Sequence, residues 1–280
     1  MLNPSRRKSK LSIAVPASLV CEYANLRDKT EVIGRVARSA AIFRAEEIVI
    51  YPDQPDESGL IKLILGYVET PQYLRKYLYK FRPELQYAGT LPPLRTPHHQ
   101  LEAHAANLRF GEFREGILSD QQGVNVVDIG VEKQIRMIGK APSMGSRITV
   151  KITEAGLEPR CEMARRAEIP TYWGYEIQAS RKTLGDLATG GYYDLTIATS
   201  RTGAPIAQES ELLKAKLIEA NKVLVAFGSP RSGIQEILRR EHREITDCFK
   251  FNVNTIPEQG TETVRTDEAV HITLAVLNLY

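Results

Sequence analysis

The stretch Lys222-Val223-Leu224-Val225-Ala226-Phe227-Gly228-Ser229-Pro230-Arg231-Ser232-Gly233 reads as a short buried strand that empties into a tight, glycine-bounded turn. Its unbroken apolar run lacks the polar alternation of a half-exposed strand, which marks a strand covered on both faces, as in a parallel α/β sheet. The same rhythm extends outward from it. A helix at 233–240, a strand at 249–253 and a helix at 266–279 follow. A strand at 175–179, a helix at 182–187, a strand at 193–199 and a helix at 209–219 precede it. The chain also opens this way, with strands at 11–15 and 47–51 and helices at 30–44, 58–68 and 71–80. In the first of these helices Val32, Ile33, Val36, Ala40 and Phe43 recur at helical spacing behind Asp28 and Glu31. Alternating strands and helices predict a parallel sheet with helices on its faces.

The rhythm breaks after the proline-dense connector at 91–97. Short β-type runs at 116–118, 124–127, 134–138, 147–152 and 161–169 are separated by turn residues and contain no helical pattern. A small OB-like β-barrel is the expectation. The predicted organisation is an α/β domain at 1–90 and 174–280, interrupted by a barrel inserted at 91–173.

The 280 residues, 42% hydrophobic and 25% charged, have the composition of an ordinary globular protein, which excludes disordered, collagen-like and disulfide-scaffold classes. A net charge of +3 excludes a histone-like polycation. Cys21, Cys161 and Cys248 lie far apart, so neither a zinc knuckle nor a disulfide framework is suggested, and a reducing cytosol fits best. The basic N-terminus before Leu11 imitates a signal peptide, but Ser12, Pro16 and Ser18 break the apolar run, and no stretch is long and apolar enough to cross a bilayer. Local basic clusters are a separate matter. Arg6, Arg7, Lys8 and Lys10 open the chain as a solvated face. Arg75 and Lys76 stand in the tyrosine-rich run 73–82, and Lys133 and Arg136 in the barrel; these four are the candidate RNA contacts.

Open α/β sheets bind ligands beyond the carboxyl ends of their strands, so the last three strand exits are the places to look for chemistry. Gly228 to Gly233 has P-loop glycine spacing, but Ile234 and Gln235 stand where Lys and Ser/Thr would reach phosphate and magnesium, and the nucleotide-hydrolase reading fails. The exit at 254–265 is longer than such connections usually are. The helix behind it reads with Thr266 as N-cap and Asp267 and Glu268 in its first turn, and it is apolar almost all round, so a subunit partner is a natural cover. His98, His99 and His104 lack metal-ligand spacing and read as hydrogen-bonded linker residues; no metal is expected.

The run from Asn254 to Ala269, preceded by Val225-Ala226-Phe227-Gly228-Ser229, resembles the C-terminal cofactor region of SPOUT-class RNA methyltransferases. Tyr172-Trp173-Gly174-Tyr175, the run from Tyr193 to Arg201, Pro71-Gln72-Tyr73-Leu74-Arg75-Lys76, Pro97-His98-His99 and Phe113-Arg114-Glu115-Gly116-Ile117 resemble the archaeal and eukaryotic SPOUT subfamily of uridine-N3 methyltransferases. The resemblance covers nearly the whole chain. It implies a C-terminal trefoil knot, one of the rare exceptions to ordinary connection rules, S-adenosylmethionine held by the knot loops, and a homodimer acting on RNA, with rRNA favoured over tRNA. Carried over by residue, Thr199, Ala226, Phe227 and Gly228 lie against the cofactor, Asn254, Ile256 and Pro257 take its adenine and ribose side, and Gly260, Thr261 and Val264 close the last loop. Methyl transfer from a sulfonium needs positioning rather than a metal. Arg265, or Arg201, is the candidate catalytic cation for charge developing on the uracil oxygens, the alternative being that these arginines bind phosphate. The alternatives are methylation of a ribose 2′-oxygen or of another base, and a ribosome-assembly factor that binds RNA without turnover.

Overall fold

A computed structural model describes residues 4–280. In chain order it begins β1 (Lys10–Pro16), α1 (Leu26–Ile42), β2 (Glu47–Tyr51), α2 (Ser58–Glu69) and α3 (Gln72–Leu78). Five short strands follow: β3 (Phe113–Gln121), β4 (Val124–Asp128), β5 (Ile135–Ile138), β6 (Arg147–Glu154) and β7 (Arg160–Met163). The chain then runs β8 (Glu176–Ala179), α4 (Leu184–Thr189), β9 (Leu195–Pro205), α5 (Ile206–Glu219) and β10 (Lys222–Ala226). It closes with α6 (Ile234–Arg240), α7 (Ile245–Cys248), β11 (Phe251–Asn254) and α8 (Thr266–Leu277). Residues 7–69, 83–94 and 174–280 form one compact unit, and residues 4–6, 70–82 and 95–173 form the other.

The first unit holds a six-stranded sheet ordered β11-β9-β10-β1-β2-β8. Every neighbouring pair in it is parallel, as the strand and helix alternation predicts. Period-2 alternation divides its core in two. Ile13, Val15, Ile48, Ile50, Val223 and Val225 pack with α1, α2 and α8 residues on one face. Ala14, Val49, Leu224 and Ala226 pack with Leu184, Ile234, Ile237 and Leu238 on the other.

Several boundaries differ from the sequence reading, each for a local reason. The first long helix starts at Leu26 because Asn25 caps it, its side-chain oxygen accepting the Asp28 N–H at 2.9 Å. Phe249 lies outside the last strand because α7 takes the chain up to Cys248. β7 stops at Met163, well short of residue 169. The strand expected to end at Thr199 runs on to Pro205.

The second unit contains a closed barrel ordered β3-β4-β5-β7-β6. β3 pairs antiparallel with β6 to close it, and β5 pairs parallel with β7. Its centre is filled by Leu118, Val127, Ile135, Met137, Val150, Ile152 and Cys161. The Cys161 thiol is pushed up to about 12 by burial, with Glu162 adding to the effect. Two charged neighbours on β3 are also buried, Arg114 at 1% and Glu115 at 4% exposure. The Glu115 carboxylate accepts from Trp173 Nε1 at 2.6 Å, Thr149 Oγ1 at 2.5 Å and Arg147 Nε at 2.7 Å. All these donors converge on two oxygens. Glu115→Gln turns one of the oxygens into an N–H facing other donors, and is expected to cost about 2–4 kcal/mol of stability. Urea unfolding monitored by Trp173 fluorescence measures it; a loss below about 0.5 kcal/mol, the ordinary surface value, would show that the network carries no net stability.

Candidate active site

Because the sheet is parallel, the exits of β1, β9, β10 and β11 lie at one end of it and enclose a cleft of about 670 Å³. The β1 exit descends through successive turns, with Leu19, Cys21 and Tyr23 N–H groups donating to the carbonyls of Pro16, Ser18 and Val20. The β10 exit is a tight turn: Ser229 N–H donates to the Ser232 carbonyl, and Ser232 N–H returns to the Ser229 hydroxyl at 3.0 Å.

The β9 exit is an excursion within the strand. Ala198 pairs with Asn252, yet the next partner of β11, Val253, pairs with Ala204, so residues 199–203 loop out between consecutive pairs. Gly203 permits the return. A Cβ there would stand 2.7 Å from the Val253 carbonyl carbon and 2.9 Å from that of Asn252.

The β11 exit is tied to all of this by polar contacts. Asn254 accepts the Ile256 N–H through Oδ1 and donates from Nδ2 to the Arg201 carbonyl at 3.0 Å. Arg201 donates to the Glu262 carbonyl at 2.8 Å. At the start of α8, Arg265 is the N-cap, and its N–H is taken by the Glu268 carboxylate at 3.0 Å. This corrects the expectation for Thr266, which is the first helical residue; its hydroxyl donates to the Gly228 carbonyl at 3.1 Å and joins the last loop to the β10 exit. Glu268 is thereby occupied as a first-turn acid. Asp267, buried, accepts from Arg35 Nε at 2.6 Å. Burial works most strongly against the Arg35 charge, but the hydrogen bond to Asp267 and the negative charges of Asp267, Tyr23 and Glu31 together outweigh it and raise the guanidinium pKa.

Residues 10–277, nearly the whole chain, match a protein family described as "Putative RNA methyltransferase". The chain belongs to that family, and it is an RNA methyltransferase. It is 31% identical to the human 28S rRNA (uridine-N(3))-methyltransferase over 97% of its own length and 78% of that protein. It is 30% identical to the enzyme of the same name from Drosophila melanogaster, over 96% of this chain and 62% of the fly protein. An uncharacterized protein of Halobacterium salinarum is 35% identical over 96% of this chain and 98% of its own.

An RNA methyltransferase needs a place for a methyl donor. Of the residues singled out from sequence, Thr199, Arg201, Phe227, Gly228, Asn254, Ile256, Val264 and Arg265 line this cleft. Ala226, Pro257, Gly260 and Thr261 do not. Ala226 is fully buried and contributes only its carbonyl, which accepts from the Thr199 hydroxyl at 2.9 Å. The β1 exit supplies Leu19, Glu22 and Tyr23, which the sequence reading missed. The strand-exit rule already pointed to them, since β1 pairs directly with β10. Arg231 and Arg239 also line the cleft and likewise went unnoticed.

The residues proposed for RNA contact are in the second unit. Lys76 and Arg136 are exposed. Lys76 Nζ stands 4.7 Å from the Tyr77 ring centre. Arg75 donates to the Thr70 carbonyl and Lys133 to the Leu157 carbonyl. Tyr73, in the same run, is not available for stacking: its hydroxyl donates to the Glu115 carbonyl at 2.8 Å, and burial raises its pKa. At the N-terminus, Arg7 donates to the Phe43 carbonyl and Lys8 to the Ile218 carbonyl. Among the described residues no group of His, Cys, Asp and Glu has metal-binding geometry.

Proposed function

We propose that this RNA methyltransferase transfers a methyl group from S-adenosylmethionine to N3 of a uridine in ribosomal RNA, as a SPOUT-type knotted homodimer in the cytoplasm. The observation that carries the reading is the single cleft built from four strand exits, with the Arg265 guanidinium on its wall. Its volume lies in the range of sites that enclose a nucleoside-sized ligand. Ile256 and Val264, backed by the buried Leu19 and Phe227, offer apolar surface beside the main-chain groups of the exits, which fits an adenosine that is read largely by backbone. In this reading Thr199, Phe227 and Gly228 hold the cofactor, with Ala226 acting through the carbonyl that holds Thr199, Asn254 and Ile256 take its nucleoside end ahead of Pro257, and Gly260, Thr261 and Val264 close the loop over it.

S-adenosylmethionine would supply a methyl group on a sulfonium, with a thioether as the leaving group and water as the acceptor of the N3 proton. The chain positions the acceptor and stabilises charge. Arg265 faces the uracil oxygens and favours the anionic base, an opposite charge lowering the pKa of the group it neutralises. Arg201, bound to Glu262, holds the last loop in place as well as adding positive charge. The target atom is on the Watson–Crick edge, so the uridine is read unpaired or flipped out.

The polar ties joining residues 254–266 to Arg201 and Gly228 support the knot. The strand order of the barrel, with one parallel pair, supports an OB-like module; Lys133 and Arg136 in that part of the chain and Arg75 and Lys76 on α3 are the proposed RNA contacts. A groove of about 750 Å³ between α1 and α8, lined by Ile42, Leu91 and Ile272, supports a dimer face there. Free cysteines are consistent with a reducing compartment.

Calorimetry with S-adenosylmethionine and labelled methyl transfer to RNA from cells lacking the gene test the reading. We expect saturable binding and 3-methyluridine in the digested product. A labelled 2′-O-methyl nucleoside would move the assignment to ribose chemistry, and no binding at millimolar cofactor would leave an RNA-binding assembly factor.

A further inference from the structure

We infer that Tyr23, in the exit of the first strand, is the positioning residue that fixes the Arg265 guanidinium in the cleft; the inference rests on the proposed role of Arg265. Arg265 Nη1 donates to the Tyr23 hydroxyl at 3.3 Å, and the guanidinium carbon stands 5.8 Å from the ring centre, within cation–π range. The tyrosine is itself well anchored. Its N–H closes the last of the turns after β1, on the Val20 carbonyl, and its ring packs against the main core. Both residues line the same cleft.

The partner's chemistry suits the task. Among the described residues no carboxylate is paired with Arg265. A carboxylate would orient the guanidinium but also neutralise it. A phenol oxygen accepts one N–H, leaves the full positive charge, and leaves the remaining donors of the planar fork for the substrate. An arginine side chain has many rotamers. Holding it by a tyrosine that has few spends the ordering cost before RNA arrives, which is what preorganisation of a charge-stabilising group requires.

Tyr23→Phe keeps the ring and removes the acceptor. With the RNA identified by labelled methyl transfer, it is expected to lower kcat by about tenfold, the weight of one hydrogen bond to a charged group. KM for RNA and for S-adenosylmethionine should stay the same, and the pH at which kcat levels off should rise. In an Arg265→Ala background the same substitution should change nothing, because the group it positions is gone. The Arg265 Nε–H resonance, assigned by its loss in Arg265→Ala, should be sharp in the parent and averaged in Tyr23→Phe, a readout that needs no substrate. An unchanged kcat, a loss that is additive with Arg265→Ala, or an unaltered Nε–H signal overturns the role of Tyr23 while leaving that of Arg265 intact. Full activity of Arg265→Ala overturns both.

Discussion

Arg265→Ala is expected to reduce kcat by about 10²–10³, the cost of removing one preorganised donor from developing negative charge, with cofactor affinity left near parental. The separation follows from where Arg265 sits. The contact that caps α8 is made by its backbone N–H to Glu268, which alanine retains. The Thr266 to Gly228 and Asp267 to Arg35 contacts that seat the helix do not involve its side chain. The side chain is exposed, so its removal leaves no buried charge, and the stability change should stay within about 0.5 kcal/mol. The pH profile supplies a second reading. A guanidinium beside the uracil favours the N3 anion, so the parent should reach its maximal rate at lower pH than Arg265→Ala. Arg265→Lys keeps the charge and loses the planar fork, and should fall between the two. Single-turnover methylation across pH measures all three; an alanine variant with raised cofactor Kd and unchanged kcat would move Arg265 from catalysis to binding.

Much of this arrangement was legible in the sequence because its signals are local. The strand at Lys222–Ala226 and its turn announce themselves by an apolar run and two glycines, and the long exit after β11 by its length. The β-barrel announces itself by short strands with half-buried alternation, as in Ile135–Ile138. What was hidden depends on distant partners. No local pattern marks Arg114 and Glu115 as buried, yet both are, because Glu102, Trp173, Thr149 and Arg147 join the near neighbour Glu112 around them. Tyr73 stands in the tyrosine-rich basic run, and its hydroxyl is committed to the Glu115 carbonyl. Thr266 has the composition of an N-cap, but Gly228, thirty-eight positions earlier, draws its hydroxyl away. Tyr23 stands in an ordinary-looking turn, and only the pairing of β1 with β10 brings it to Arg265. The excursion at 199–203 leaves no trace in side-chain pattern, since strand pairing is made by backbone groups that every residue carries.

That excursion carries the other large expected effect. Gly203→Ala should destabilise the protein by about 2–3 kcal/mol, at the upper end of ordinary overpacking, and weaken S-adenosylmethionine binding by more than about tenfold, since 1.4 kcal/mol of lost loop order already suffices for that. The added methyl meets backbone on every near side: the Val253 carbonyl carbon at 2.7 Å and the Asn252 carbonyl carbon and oxygen at 2.9 Å. A side chain could swing away, but these atoms belong to β11 at its pairing with β9, and Val253 is fully buried. Relief therefore requires the two strands to part. Thr199, Ser200, Arg201 and Thr202 on one side and Asn254, Thr255 and Ile256 on the other line the cleft, so parting them displaces both walls together. Gly228→Ala is the control for stability alone, because Gly228 itself lines the cleft. Its methyl would stand 3.0 Å from the Ser232 carbonyl oxygen and 3.2 Å from the Gly233 Cα, in a turn that can give by a few tenths of an ångström. It should cost less than about 1 kcal/mol, below the usual range for forcing a group into a packed core. Urea unfolding compares the two, and calorimetry with S-adenosylmethionine compares Gly203→Ala with the parent. If Gly203→Ala binds cofactor as the parent does, the return of the excursion to the sheet does not set the cleft, and the β1 and β10 exits must hold the donor without it.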